Sequence, residues 1–258
     1  VMLFGLNTSV TVVSFFFFII VRIIGKAILS YNNWPPGEFN TMFTNSCIVA
    51  MSHSSNLILP LAQGLWMLPY KPTMSQSAAP KYWQLASDAM LQFCTAYMLQ
   101  DSLMTVIRAY QLGGLQDGDL LFIAHHFATF SYMTQCRWID AGYISAMTCI
   151  LCGEVSNPPM MVWYITDKAI KSACCNGPRV QFLFEIFSVI YALVYFIARA
   201  ILAPMMALAF MYDFFFTGQK SVSLGLCIYW FLAVLGVIAG SYGYILETWE
   251  ILMKAIKQ

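Results

Sequence analysis

Six ionisable side chains lie inside otherwise apolar stretches of this 258-residue chain. They are His53, Asp101, His125, His126, Glu154 and Arg199. A neutral imidazole can serve as a general base, an acyl-accepting nucleophile or a metal ligand. A carboxylate beside it fixes its tautomer, and a guanidinium holds a carboxylate or phosphate through two hydrogen bonds. These residue types therefore suit acyl transfer or the binding of a lipid headgroup.

Metal chemistry is limited by the small number of histidines, which is three in the whole chain. His125 and His126 are not accompanied by an H-x-x-H or H-x-x-x-H box, so the ligand set of a di-iron desaturase cannot be built. Cys149 and Cys152 form a C-x-x-C pair, but they lie in an apolar run without a second zinc or redox motif. We therefore expect no metal ion and no cofactor.

The composition is that of a membrane protein. Hydrophobic residues make up 60% of the chain and charged residues 10%, whereas soluble domains are near a quarter charged. The net charge is +1, and no run rich in Lys and Arg is present that could follow a phosphate backbone. These observations exclude nucleic acid as a partner and predict an integral, multi-pass membrane protein.

The apolar segments predict an all-α polytopic fold with about seven transmembrane helices, because one span needs about 20 mostly apolar residues. The predicted spans are 4–30, 39–68, 83–111, 118–136, 139–154, 180–212 and 221–252. Lys and Arg are more numerous on the side that holds the C-terminus. This bias predicts that the C-terminus faces the cytosol, matrix or stroma.

Pro158 and Pro159 predict an irregular elbow at 153–160, because proline removes backbone donors and breaks a helix. The apolar stretch that follows, 160–173, is too short to cross and is predicted to be an interfacial helix. Irregular backbone at membrane depth is tolerated only against protein or a wet cavity. The elbow therefore favours a central polar cavity.

Counted along their helices, the six polar groups lie at depths that are compatible with one polar cluster. His125 is about seven residues into its helix, or roughly 10 Å at 1.5 Å per residue. Neighbouring helical residues diverge by about 100°, so one histidine is expected to face the cavity and the other to pair with an adjacent helix. Arg199 is expected to pair with Asp101 or Glu154, or to contact a ligand. Alternatively, these groups only join helix to helix, at about 0.6 kcal/mol for each hydrogen bond.

The ordered series of polar motifs resembles the TLC domain, which ceramide synthases share with smaller TLC domain-containing proteins. The similar motifs are Ser52-His53, Tyr97-x-x-x-Asp101, His125-His126, Glu154-x-Ser156-x-Pro158 and Phe196-x-x-Arg199. The resemblance covers 38–252 and leaves an N-terminal helix and turn at 1–37 and a tail at 253–258. It implies a TLC-type helix bundle in the endoplasmic reticulum, with another organelle membrane as the alternative.

The resemblance also implies two sets of site residues. The catalytic set is His125, His126, Asp101 and Glu154. The lipid-binding set is His53, Arg199, Ser156 and Tyr97. In ceramide synthases the histidine pair is followed by an Asp-x-x-Asp element, whereas Glu154-Val155-Ser156-Asn157-Pro158 stands at that place here. In this respect the chain is similar to the smaller TLC proteins, which lack the Asp pair.

Three functions fit these observations. The first is the binding or regulation of a long-chain lipid or acyl chain through a polar intramembrane pocket. The second is an accessory role in a larger membrane complex, suggested by a surface rich in Phe and Met, of which the chain has 20 and 16. The third is a ceramide-synthase-like N-acyltransferase that uses acyl-CoA, with Glu154 in place of the Asp pair.

Overall fold

The computed structural model describes residues 2–3, 5–34, 37–67, 75–116, 118–171, 176–217 and 222–256. A short antiparallel hairpin, β1 Met2–Leu3 and β2 Leu6–Asn7, precedes the helices. The helices are α1 Ser9–Tyr31, α2 Glu38–Trp66, α3 Lys81–Gln111, α4 Asp119–Ile139, α5 Tyr143–Glu154, α6 Asn157–Lys171, α7 Pro178–Tyr195, α8 Ala203–Tyr212, α9 Leu224–Gly240 and α10 Tyr242–Ile256. The predicted all-α fold is confirmed. Residues 35–36 of the predicted turn and 257–258 of the predicted tail lie outside the described residues.

Two long helical units, each made of two successive α-helices, follow α6 in the chain. Helices α7 and α8 are joined by the π-helical turn Phe196–Leu202, and a second π-helical turn, Asp213–Thr217, follows α8. Only Ser241 separates α9 from α10.

Among the described residues, three helical units are long and apolar enough to cross a membrane, namely Ser9–Tyr31, Pro178–Phe216 and Leu224–Ile256. The number of crossings therefore stays a prediction.

The break between α5 and α6 is shorter than the predicted elbow at 153–160. Helix α5 ends at Glu154 and α6 begins at Asn157, so only two residues separate them. Pro158 and Pro159 occupy the first turn of α6. A proline is tolerated there because the amide that it lacks would have no partner within the helix. The prolines therefore begin a helix rather than break one.

Helices α5 and α6 run in succession along the whole length of α2, in the opposite direction. The contacts along this shared length are Gly64 with Met147, Ser54 with Glu154, and Phe43 with Tyr164. Helix α6 also packs against α7, with Trp163 stacked on Tyr191. The prediction of a separate interfacial helix at 160–173 is therefore wrong, because α6 is part of the bundle. Glu154 lies near the middle of the combined helix.

Ion pairs mark the two ends of α3. At one end Arg137 of α4 donates to Asp88 at 2.7 Å. At the other end Arg108 pairs with Asp119 of α4. We call this second end the basic end, because Lys26 of α1, Arg108 and Lys168 of α6 all lie there, with Lys168 over the Phe43 ring of α2.

Gly142, which joins α4 to α5, offers a test of the packing. Its φ is 81°, and a β carbon there would lie 2.9 Å from the Trp230 ring and 3.0 Å from Cys136 Sγ. We expect Gly142→Ala to lower the melting temperature in detergent by about 4 °C or more, because left-handed strain of about 1–2 kcal/mol adds to the clash. Gly225→Ala is the matched control, since its β carbon meets open space. Equal melting temperatures would contradict this packing.

Candidate functional site

His53 lies at the centre of the interface between α1, α2 and α3 and is fully buried. Its ring stacks on Tyr97 with centroids 4.0 Å apart and lies 5.7 Å from Phe93 and 5.9 Å from Phe18. Its Nδ1 is 3.2 Å from Glu154 Oε2, although neither ring nitrogen makes a well-aligned hydrogen bond to a described residue. His53 therefore joins aromatic packing to an electrostatic contact with Glu154.

Glu154 receives its hydrogen bonds at one carboxylate oxygen. Ser54 Oγ donates to Oε2 at 2.5 Å, and Asn157 Nδ2 donates to the same oxygen at 2.8 Å. Among the described residues, no hydrogen bond reaches Oε1. Glu154 is 5% exposed and lines a cavity. One oxygen therefore holds the helices together and the other remains for the cavity.

This cavity, which we call the central cavity, has a volume of about 80 Å³ and lies between α4, α5, the α7–α8 unit and α9. Glu154, His125 and Arg199 supply charged or titratable groups to its wall, and most of the remaining wall is apolar. A single water needs about 10–15 Å³. The cavity therefore has room for several waters or for the polar end of a larger molecule.

Arg199 reaches the central cavity from the π-helical turn between α7 and α8. Such turns occur often at functional sites. Its Nη2 donates to the Gly153 carbonyl at 3.0 Å, while Nε is buried with no partner among the described residues. No carboxylate of the described residues lies at ion-pair distance from it. The predicted pairing of Arg199 with Asp101 or Glu154 is therefore wrong.

The two adjacent histidines of α4 point to different neighbours. His125 lines the central cavity, and its ring makes no hydrogen bond to a described residue. His126 is buried, with Nδ1 3.3 Å from Ser102 Oγ of α3 and its ring 4.1 Å from Phe122. The separation follows from the rotation between neighbouring residues on a helix. Only His125 is placed to meet a molecule in the cavity.

Asp101 forms a buried ion pair that was not predicted from the sequence. Arg22 Nη2 donates to Asp101 Oδ1 at 2.7 Å, and Arg22 Nη1 donates to Ser46 Oγ at 3.0 Å. The two side chains are 12% and 3% exposed. A signal was present, since Arg22 is the charged residue inside the apolar run 10–25. Its position along the chain does not show which helix faces it, so the pair with Asp101 does not follow from the sequence.

The eight predicted site residues thus fall into three groups. His125, Glu154 and Arg199 meet at the central cavity. His53 contacts Glu154 and Tyr97 stacks on His53, and neither belongs to the cavity wall. Asp101, His126 and Ser156 lie outside the cavity wall, with Ser156 Oγ 3.5 Å from the Gly153 carbonyl.

Four further residues with polar atoms in their side chains line the central cavity without having been predicted as site residues, namely Thr129, Tyr132, Cys149 and Cys152. Both cysteines are free thiols. No group of three or more His, Cys, Asp or Glu residues in the described ranges could hold a metal ion.

The fold and the site define an integral membrane protein built as a helix bundle. The family model for the TLC domain matches residues 7–246, and the chain belongs to this family. A TLC domain-containing protein of Arabidopsis thaliana is 22% identical over 196 residues, which cover 74% of this chain and 68% of the relative. No solved structure matches the chain. The family match includes α1, which supplies Arg22 to the pair with Asp101.

The buried pair predicts a strong response to the loss of one partner. We expect Asp101→Leu to reduce the free energy of unfolding by about 3–5 kcal/mol, because the Arg22 guanidinium stays buried without its carboxylate. Replacing Arg22 with Met in the same protein should recover most of that loss. Asp167→Asn, which breaks the exposed pair with Lys171, is the control and should change stability by under about 1 kcal/mol. Thermal unfolding in detergent measures all three variants.

Proposed function

We propose that this TLC-family membrane protein binds a long-chain lipid, with the polar end of the lipid in the central cavity against His125, Glu154 and Arg199. One observation carries the proposal. Three separate elements bring these side chains to the same cavity, and neither the His125 ring nor Glu154 Oε1 makes a hydrogen bond to a described residue. Arg199 Nε is buried without a partner among the described residues. A buried polar atom without a partner costs about 1–3 kcal/mol, and a bound polar group that satisfies it removes that cost.

The chemistry of the three side chains suits a lipid head that both donates and accepts hydrogen bonds. Arg199 supplies donors, and Glu154 Oε1 supplies an acceptor. His125 supplies either one according to its tautomer. Hydroxyl and amide groups meet all three requirements, whereas a purely anionic head would face the Glu154 carboxylate. The site therefore favours a neutral, hydroxyl-bearing or amide-bearing head.

The apolar part of the wall supports a long-chain ligand. Ala203 and Phe210 of α8 and Ala233 and Val237 of α9 line the cavity beside the polar groups. A volume of about 80 Å³ is too small for a whole acyl chain. The tail is therefore proposed to leave the cavity between α8 and α9, where the outer faces of both helices carry exposed apolar side chains such as Leu208 and Leu232.

A second candidate is acyl transfer of the ceramide-synthase type. The observation that favours it is the placement of the unbonded His125 ring in the same cavity as Glu154. In such a reaction His125 takes the acyl group from acyl-CoA with release of the CoA thiol, and the amine of a long-chain base then takes the acyl group from His125. Asp101 and His126 lie outside the cavity, so this chemistry would rest on His125 and Glu154.

The accessory-subunit alternative stays a prediction. Large apolar side chains such as Phe16, Trp66 and Trp138 are exposed on the bundle. A surface that faces lipid is equally apolar, so these side chains favour neither lipid nor a protein partner.

Lipid retention tests the proposed function. We expect native mass spectrometry of the gently extracted protein to show a bound lipid, which His125→Ala and Arg199→Gln reduce several-fold. His126→Gln is the matched control, because this neighbouring histidine lies outside the cavity wall, and it should retain the lipid. Equal loss in all three variants, with unchanged melting temperatures, would contradict the central cavity as the site. An acyl adduct on His125, absent from His125→Ala, would instead support acyl transfer.

We further propose that the bundle crosses the endoplasmic reticulum membrane about seven times, with the basic end in the cytosol. The units that would cross are α1, α2, α3, α4, α5 with α6, α7 with α8, and α9 with α10. The continuous path of α5 and α6 along α2 supports counting them as one crossing.

An odd number of crossings puts the two termini on opposite sides of the membrane. A glycosylation acceptor fused to the N-terminus is expected to be modified in microsomes, whereas one fused to the C-terminus stays unmodified. An acceptor inserted at Gly113–Gly114, at the basic end, serves as an internal control and should also stay unmodified. Modification at both termini would contradict the odd number.

A further inference from the structure

A second cavity of about 350 Å³ lies between α1, α2 and α3 near the basic end, and we call it the basic cleft. It shares no lining residue with the central cavity. Its polar lining includes Arg22, Lys26, Arg108, Thr41, Ser46 and Gln111. Three of these side chains are cations, and no carboxylate of the described residues belongs to the lining. A concave site with one sign of charge attracts an ion of the opposite sign.

The cations of the basic cleft are only partly neutralised. Arg22 pairs with Asp101 and Arg108 pairs with Asp119, and both carboxylates belong to residues outside the cleft wall. The Nε atoms of Arg22 and Arg108 are buried without a partner among the described residues. Lys26 forms no ion pair with any carboxylate whose side chain is described. Among the residues whose side chains are described, the cleft therefore keeps one cation, Lys26, without an ion-pair partner.

The three cations of the basic cleft lie at increasing depth, measured from the end of the bundle. At 1.5 Å per residue, Arg108 lies about 5 Å from the end of α3, Lys26 about 8 Å from the end of α1, and Arg22 about 14 Å from the end of α1. The outermost cation is thus near the headgroup level and the innermost is deeper. An anion entering from the membrane interface would meet successive donors.

We propose that the basic cleft binds a phosphate group, either in the head of a membrane phospholipid or in a water-soluble phosphate compound. Phosphate presents several acceptor oxygens, which suit two guanidinium groups, one ammonium group and neighbouring hydroxyls. Basic pockets between membrane helices on the cytosolic side suit phospholipid heads for the same reason. This site is separate from the central cavity, whose Glu154 carboxylate disfavours an anion.

Lys26 provides the variant least expected to disturb folding, because its side chain is exposed and forms no ion pair with a described side chain. We expect the intact chain in phosphatidylcholine nanodiscs to bind dioleoyl phosphatidic acid in preference to phosphatidylcholine, as measured by native mass spectrometry. Lys26→Gln should weaken that binding about fivefold, since one cation near the surface contributes about 1 kcal/mol. Lys254→Gln is the matched control, because it removes an exposed positive charge outside the cleft, and it should leave the affinity unchanged.

Inorganic pyrophosphate, added to the detergent-solubilised protein, separates the two sources of phosphate. Binding of pyrophosphate that depends on Lys26, without a preference for phosphatidic acid, assigns the cleft to a soluble compound. Dependence on Lys26 for phosphatidic acid alone assigns it to a phospholipid. If neither probe binds, or if both lysine variants weaken binding equally, the proposal is overturned, because an equal effect reports general attraction to the charged end of the bundle.

A volume-filling variant tests the cleft without changing its charge. Met104 lines the basic cleft and is partly exposed. Met104→Trp is expected to abolish phosphate binding while the melting temperature stays within a few degrees of the parent protein. Normal binding by this variant would show that the phosphate group lies elsewhere. Because the two cavities share no residue, either result is independent of lipid binding in the central cavity.

Discussion

The carboxylate of Glu154 sets the arrangement at the middle of the bundle, because a charged group away from water needs partners that are already in place. Helix α2 supplies Ser54 and the His53 ring, and α6 supplies Asn157. Tyr97 of α3 then stacks on His53. Three helices are thereby positioned around a single oxygen at the junction of α5 and α6. The other carboxylate oxygen is left for the central cavity, so the same residue serves the fold and the candidate site.

The polar groups of the bundle serve different purposes at different depths. Toward the basic end, Arg22 and Asp101 join α1 to α3, and Arg22, Lys26 and Arg108 line a cleft to which no described carboxylate contributes. At mid-depth, cationic and anionic groups share a smaller cavity. A site with both signs suits a neutral polar head, whereas a site with cations alone suits phosphate. The two cavities thus differ in the charge of their walls as well as in their depth in the bundle.

Comparison of particular elements shows where the sequence was informative. Apolar length predicted α1 to α4 closely, because about 20 apolar residues are needed to cross a membrane and few other structures use them. Proline was less informative at 153–160. Pro158 and Pro159 predict a break, but proline also suits the first turn of a helix, and here the two prolines lie in the first turn of α6. The pairing of Arg22 with Asp101 could not be predicted, because the position of Arg22 along the chain does not reveal which helix faces it.

The sequence by itself determined that the chain is an all-α membrane protein of the TLC family and which ionisable residues lie in its apolar segments, since both depend on residue type and order. Only the tertiary structure decided which of those residues meet. Asp101 pairs with Arg22, and His126 lies beside Ser102. Arg199 lines a cavity together with His125 and Glu154. The physical reason is that helix rotation and the path of α5 and α6 arise from packing between distant segments, which no local pattern encodes.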